Sequence, residues 1–159
     1  MNLLDFYYSE QQALNQVMAH RYSEREFSPN TILTALTAEV GEFLQETKAE
    51  WCWWKDLRLI DEAKALEEGV DVLFFALTLD LETGTLGEVE PPEPPTKSMR
   101  ALRVLMLTSL QAAIAKVFMG TQIPIAPLVL QALYQFWPRD RVLQAYQDKA
   151  KVNRERVGA

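Results

Sequence analysis

A chain of 159 residues, 48% of them hydrophobic, is sized for one domain (1–159) with a real core and is too short for two. Its 22 acidic against 16 basic residues leave a net charge of −6, so no basic stripe is at hand for phosphates and a nucleic-acid partner is excluded. The single cysteine, Cys52, cannot close an internal disulfide, which fits a cytoplasmic setting, and the opening residues lack the basic start and apolar segment of a signal peptide. The longest uncharged stretch, Ala101 to Phe118, is broken by Arg103 and Lys116, so no membrane partner is expected.

In chain order, Glu10 to Arg21 reads as a first helix, with Leu14, Val17 and Met18 apolar. Ser28-Pro29 is a helix start, serine as N-cap and proline in the first turn. The helix that follows carries Ile32, Leu33, Leu36, Val40, Phe43 and Leu44 on its apolar side and is expected to run to about Trp51. Asp61 caps the next, whose run Val70 to Leu77 is apolar on nearly every side and therefore central. Residues 83–97 hold Gly84, Gly87, Pro91, Pro92, Pro94 and Pro95 among glutamates and read as a solvated connector. Ser98 to Met119 repeats a buried pattern and stops at Gly120. Pro124 and Pro127 introduce a shorter helix, Ala126 to Phe136, and Arg139 or Asp140 opens a last one reaching about Arg156. No period-2 alternation persists. The fold class is thus all-α, a helical bundle of about six helices, and its surplus apolar surface favours completion as a homodimer.

Chemistry is concentrated in Glu39-Val-Gly-Glu42 and Glu68-Gly-Val-Asp71. Carboxylates three apart lie on one helix face, and the 25 residues between the pairs suffice to turn and bring a second helix back beside the first. Two carboxylates about 4 Å apart repel by roughly 4 kcal/mol at an effective dielectric near 20, so a pocket of four needs compensation, of which divalent cations are the simplest source. At about 100° per residue Glu46 and Glu50 extend the stripe of Glu39 and Glu42. Asp71 stands inside an apolar run with no lysine or arginine between Val70 and Lys97, so a metal or a distant cation must answer it. Oxygen-only ligands select Mg²⁺ first and Mn²⁺ second. A di-iron bundle would need Glu-x-x-His pairs, and the only histidine, His20, has no acidic residue three before it. Neither a Gly-x-Ser-x-Gly elbow nor a phosphate-cradling glycine loop occurs.

These acidic pairs resemble the signature of the all-α nucleoside triphosphate pyrophosphohydrolases, the superfamily of the MazG proteins and the dimeric dUTPases. Three further stretches resemble the dimeric dUTPase branch: Gln11-Gln12-Ala-Leu-Asn15, Trp51-Cys-Trp-Trp54-Lys55, and the segment from Tyr146 through Lys149 and Asn153 to Arg156. The four span nearly the whole chain in the right order. The resemblance implies a helical-bundle homodimer that hydrolyses dUTP, and dUDP, to dUMP with Mg²⁺ as cofactor. Glu39, Glu42, Glu68 and Asp71 would hold the metal, with Glu39, Glu42 and Glu46 serving catalysis. Gln12 and Asn15 would read the uracil edge, each offering donor and acceptor. Trp51 and Trp54 would wall the pocket, Lys55, Lys149 and Arg156 would meet phosphates, and Asn153 the sugar or base. Two alternatives stay open: a MazG-like pyrophosphohydrolase for dCTP or a modified nucleotide, and a non-enzymatic helical dimerisation module.

Overall fold

The computed structural model describes residues 3–57, 59–90 and 93–158; Pro91 and Pro92 of the expected connector lie outside them. Seven helices and no strand occur among the described residues: α1 Leu3–Arg21, α2 Pro29–Glu46, α3 Lys48–Trp51, α4 Glu62–Thr83, α5 Met99–Met119, α6 Ala126–Tyr134 and α7 Arg139–Val157. Local chemistry sets several of their ends. Ser28 and Thr31 form a reciprocal capping box at the start of α2, and Asp61 and Ser98 cap α4 and α5 through the backbone amides of Lys64 and Ala101. Gly84 and Gly120, at φ of 67° and 71°, end α4 and α5 in the left-handed conformation that glycine adopts without steric cost.

Two boundaries differ from the sequence reading. The first helix begins at Leu3 rather than Glu10, because Leu4, Tyr7, Tyr8, Gln11 and Leu14 form one buried stripe at helical spacing. The expected helix from Pro29 to Trp51 is interrupted at Thr47, which is fully buried and turns its hydroxyl back to donate to the Phe43 carbonyl at 3.0 Å. The Thr47 backbone, at φ −98° and ψ 13°, leaves the helical range there, and α3 follows as a separate turn.

The core draws on every helix except α3. The long helix α4 is its centre, packing on α1, α2, α6 and α7. Gly69 lets it approach α6 closely, since a Cβ there would stand 2.7 Å from Leu133 Cδ2. The far end of α4 is locked by Asp80, a wholly buried carboxylate. It accepts from Lys116 Nζ at 2.8 Å, from the Tyr8 hydroxyl at 2.9 Å, and from the backbone amides of Ile125 and Ala126 at 2.8 Å. Asp80 thereby caps the N-terminus of α6, which has no capping side chain of its own, with a charge that the helix dipole favours. Burial raises the Asp80 pKa, while Lys116 and the amides of Ile125 and Ala126 oppose the rise. The helix α5, expected to be buried, is only partly so: Leu102, Met106 and Ala113 are in the core, whereas Val104, Ile114, Phe118 and Met119 are exposed.

Candidate active site

Helices α2 and α4 run antiparallel along the acidic pairs. Glu46 meets Lys64 at 3.4 Å while Glu39 feels Asp71, so rising numbers on one helix match falling numbers on the other. Their i,i+3 spacing turns both pairs into the shared groove, and one carboxylate oxygen from each of Glu39, Glu42 and Glu68 lies within 4.8 Å of the others. Burial, reinforced by Asp71, Glu42 and Glu68, pushes the Glu39 carboxyl up to about 7. Burial and the charges of Asp71 and Glu42 also raise Glu68. The cluster is short of positive charge, as expected of hard oxygen donors arranged to hold a divalent ion.

Asp71 completes the quartet differently. It is largely buried and is answered by a distant cation, Lys149 of α7, whose Nζ donates to Oδ2 at 2.7 Å. Burial still raises the Asp71 pKa, against the hydrogen bond and charge of Lys149.

The groove opens into a cavity of about 790 Å³, which three of the four acidic residues line and Glu68 does not. Glu39, Glu42 and Asp71 stand on one wall, and Lys149, Asn153 and Arg156 line another, spaced i, i+4 and i+7 along one face of α7. The opposite end is made by Gln11, Asn15, Phe74, Phe75 and Thr78, and the mouth by the turn after α1, including Tyr22, Arg25 and Phe27. Arg25 lies over the Tyr22 ring at 5.4 Å. Carboxylates, cations and a mixed amide and aromatic end in one cavity suit a ligand with an anionic tail and a flat polar head.

Several expected residues are elsewhere. Gln12 is exposed and lines no part of this cavity; Gln11 takes the inward position, because it is Gln11 that falls in phase with Tyr7 and Leu14. Trp51 and Trp54 do not wall the cavity. The chain leaves the helix at Cys52, so no continuous helix carries both rings inward. Trp51 instead donates its indole N–H to the Leu44 carbonyl at 2.9 Å, and Trp54 is 54% exposed. Lys55 is exposed on the same turn and lines no part of the cavity. Glu46 is held by Lys64, and Glu50 pairs with Arg103 at 2.6 Å beyond the break at Thr47, so the stripe of four glutamates shortens to two at the site. The aromatic end, Phe74, Phe75 and Thr78, was missed, although it continues the face of Asp71 at i+3, i+4 and i+7. Arg25 carries no signal in the sequence that would mark it.

No curated protein and no solved structure matches this chain. A sequence model of the family described as dUTPase matches residues 4–159, which takes in both acidic pairs, the amide end of α1 and the cationic face of α7. With nearly the whole chain and every wall of the cavity inside that match, the protein belongs to the all-α dUTPase family and is a dUTP diphosphatase.

Proposed function

We propose that the enzyme hydrolyses dUTP, and also dUDP, to dUMP in a reaction dependent on Mg²⁺, with Mn²⁺ able to replace it. Enzymes of this family generally use a divalent metal, and the observation that carries the reading is the convergence of Glu39, Glu42 and Glu68 in the groove between α2 and α4, beside a cavity that Glu39 and Glu42 share with Lys149 and Arg156. These three and Asp71 are the residues that would hold the ion. When bound, Mg²⁺ neutralises the phosphate tail and favours ionisation of an attacking water.

The protein's own groups do the rest. Lys149 and Arg156 bind the phosphates, and Asn153, one turn from Lys149, meets the sugar. Lys149 also holds Asp71 in place at the groove. Asn15 meets the base edge while Phe74 and Phe75 supply apolar surface for the ring. Glu39 and Glu42 orient the water; Glu46, tethered to Lys64, is given no part. Gln12, Trp51, Trp54 and Lys55 are likewise left out of the binding set. The active form is a homodimer that covers the apolar side of α5, a reading supported by the exposure of Val104, Ile114, Phe118 and Met119.

A panel of deoxynucleoside di- and triphosphates, assayed for phosphate and pyrophosphate release with Mg²⁺ and with EDTA, tests the reading. Turnover confined to dUTP and dUDP, abolished by EDTA and by Asp71→Ala, is expected. Equal turnover of several bases would instead favour a broad or dCTP-directed pyrophosphohydrolase. A monomer mass by light scattering would overturn the dimer.

A further inference from the structure

The base end of the cavity contains a chain of hydrogen bonds with a direction. Asn15 Oδ1 accepts from Gln11 Nε2 at 2.9 Å, and the single proton of the Thr78 hydroxyl is shared between the Phe74 carbonyl at 2.9 Å and Asn15 Oδ1 at 3.1 Å. The Asn15 NH₂ group has no hydrogen-bond partner among the described residues, and Asn15 lines the cavity. Gln11, 2% exposed, has both ends engaged: Nε2 donates to Asn15 and to Thr78 Oγ at 3.2 Å, and Oε1 accepts from the Tyr146 hydroxyl at 3.2 Å. A primary amide can be turned end for end without changing shape, so Asn15 shows donors or an acceptor to the cavity according to what Gln11 presents to it. Gln11, in turn, is oriented by whichever atom faces Tyr146.

We infer that Tyr146 is a positioning residue that, through Gln11, fixes the Asn15 amide with its N–H groups toward the cavity. The pocket therefore takes a pyrimidine bearing a carbonyl oxygen at the edge it meets and rejects one bearing an amino group there. The inference rests on the reading of the cavity as a dUTP site.

The phenol has one proton and two acceptors near it. Gln11 Oε1 is the closer, at 3.2 Å against 3.4 Å for the Tyr7 carbonyl, and that carbonyl lies inside α1, where the helix's own amide already serves it. Donation to Gln11 therefore leaves no acceptor in the chain orphaned. Tyr146 is itself held by a stacked contact with Phe74, ring centroids 4.7 Å apart at 27°, and an edge contact with Tyr7 at 4.9 Å. Burial raises its pKa above the ordinary phenol value, so it stays a donor throughout the working range. Position 4 of the pyrimidine is where the outcome is decided. Uracil offers O4, an acceptor for the Asn15 N–H; cytosine offers an amino group, which would set donor against donor in a half-buried site.

The test is kcat/KM for dUTP and for dCTP, with Mg²⁺, in the wild type, Tyr146→Phe and Asn15→Asp, with melting temperatures alongside. Tyr146→Phe keeps both ring contacts and deletes only the hydroxyl, which leaves Thr78, whose own proton goes to the Phe74 carbonyl at 2.9 Å, as the one remaining contact from outside α1 that orients Gln11. The dUTP/dCTP ratio is then expected to fall roughly tenfold or more. Asn15→Asp keeps an inward oxygen for Gln11 and Thr78 and replaces the outward donors by an acceptor, so the ratio should fall further, toward dCTP. A merely structural tyrosine would lower the melting temperature and both activities together, and an unchanged ratio in Tyr146→Phe overturns the inference while the dUTP assignment stands. If Tyr146→Phe does not fold, an unchanged ratio in Asn15→Asp overturns it equally. A wild type that turns over no dUTP sinks the functional reading itself.

Discussion

Glu39 makes the acidic cluster a pH-dependent liability in the metal-free protein. Its carboxyl is pushed from an ordinary 4.5 to about 7, so the folded state disfavours the charged form. The associated stability is fully present below pH 4.5 and is lost as pH rises through 7. A shift of that size corresponds to about 3 kcal/mol, but the side chain is partly solvated, and screening reduces the expected effect to about 1–2 kcal/mol. For a chain of this size that is roughly 2–8 °C in melting temperature. Thermal melts in EDTA between pH 5 and pH 8 should therefore show a decline that Glu39→Gln flattens. With saturating Mg²⁺ the order should reverse, since ion binding favours the ionised cluster and stabilises the fold by mass action. A wild type and Glu39→Gln variant with parallel pH profiles in EDTA would refute the reasoning, because Glu39 would then be solvated and unaffected by its acidic neighbours.

Lys116→Met should cost about 3–5 kcal/mol in urea unfolding, because it strands Asp80 without its cation in a fully buried site; a change below about 1 kcal/mol would mean that water enters there. Gly69→Ala, whose new methyl would meet Leu133 at 2.7 Å, should destabilise by about 1–3 kcal/mol, read in the same melts. Gln12→Ala should leave kcat/KM for dUTP within about twofold of wild type, whereas Asn15→Ala should reduce it by about tenfold or more. Equal effects at the two positions would place the base elsewhere.

Three helix starts were legible because caps are local, whereas α1, with no such signal, was begun too late. Ser28, Asp61 and Ser98 announce themselves within four residues, as do the glycines that end α4 and α5. The acidic pairs were legible for the same reason, since i,i+3 spacing fixes a common face whatever the tertiary fold. What failed depended on distant partners. The cation that answers Asp71 is 78 residues away, and Arg103, which answers Glu50, is 53 away. Gln12 was preferred to Gln11 because a buried glutamine hides the phase of its helix; beyond Asn15 on the same helix, its amide is satisfied by Tyr146 and Thr78, which tertiary packing brings in. Asp80 could have been found, because it interrupts an apolar run as Asp71 does. The two aspartates differ in outcome: one closes off in a structural lock and the other faces the groove.

The cationic wall hangs on a single late helix. Lys149, Asn153 and Arg156 all come from α7, whose buried contacts are Val142, Tyr146 and Ala150, so beyond Ala150 the helix contributes charge rather than core. A molecule clipped after that point would keep its buried contacts, its carboxylates and Lys149 but lose Asn153 and Arg156, which makes the final turns a place where proteolysis or a bulky fusion weakens the hold on anions while the core contacts stay in place.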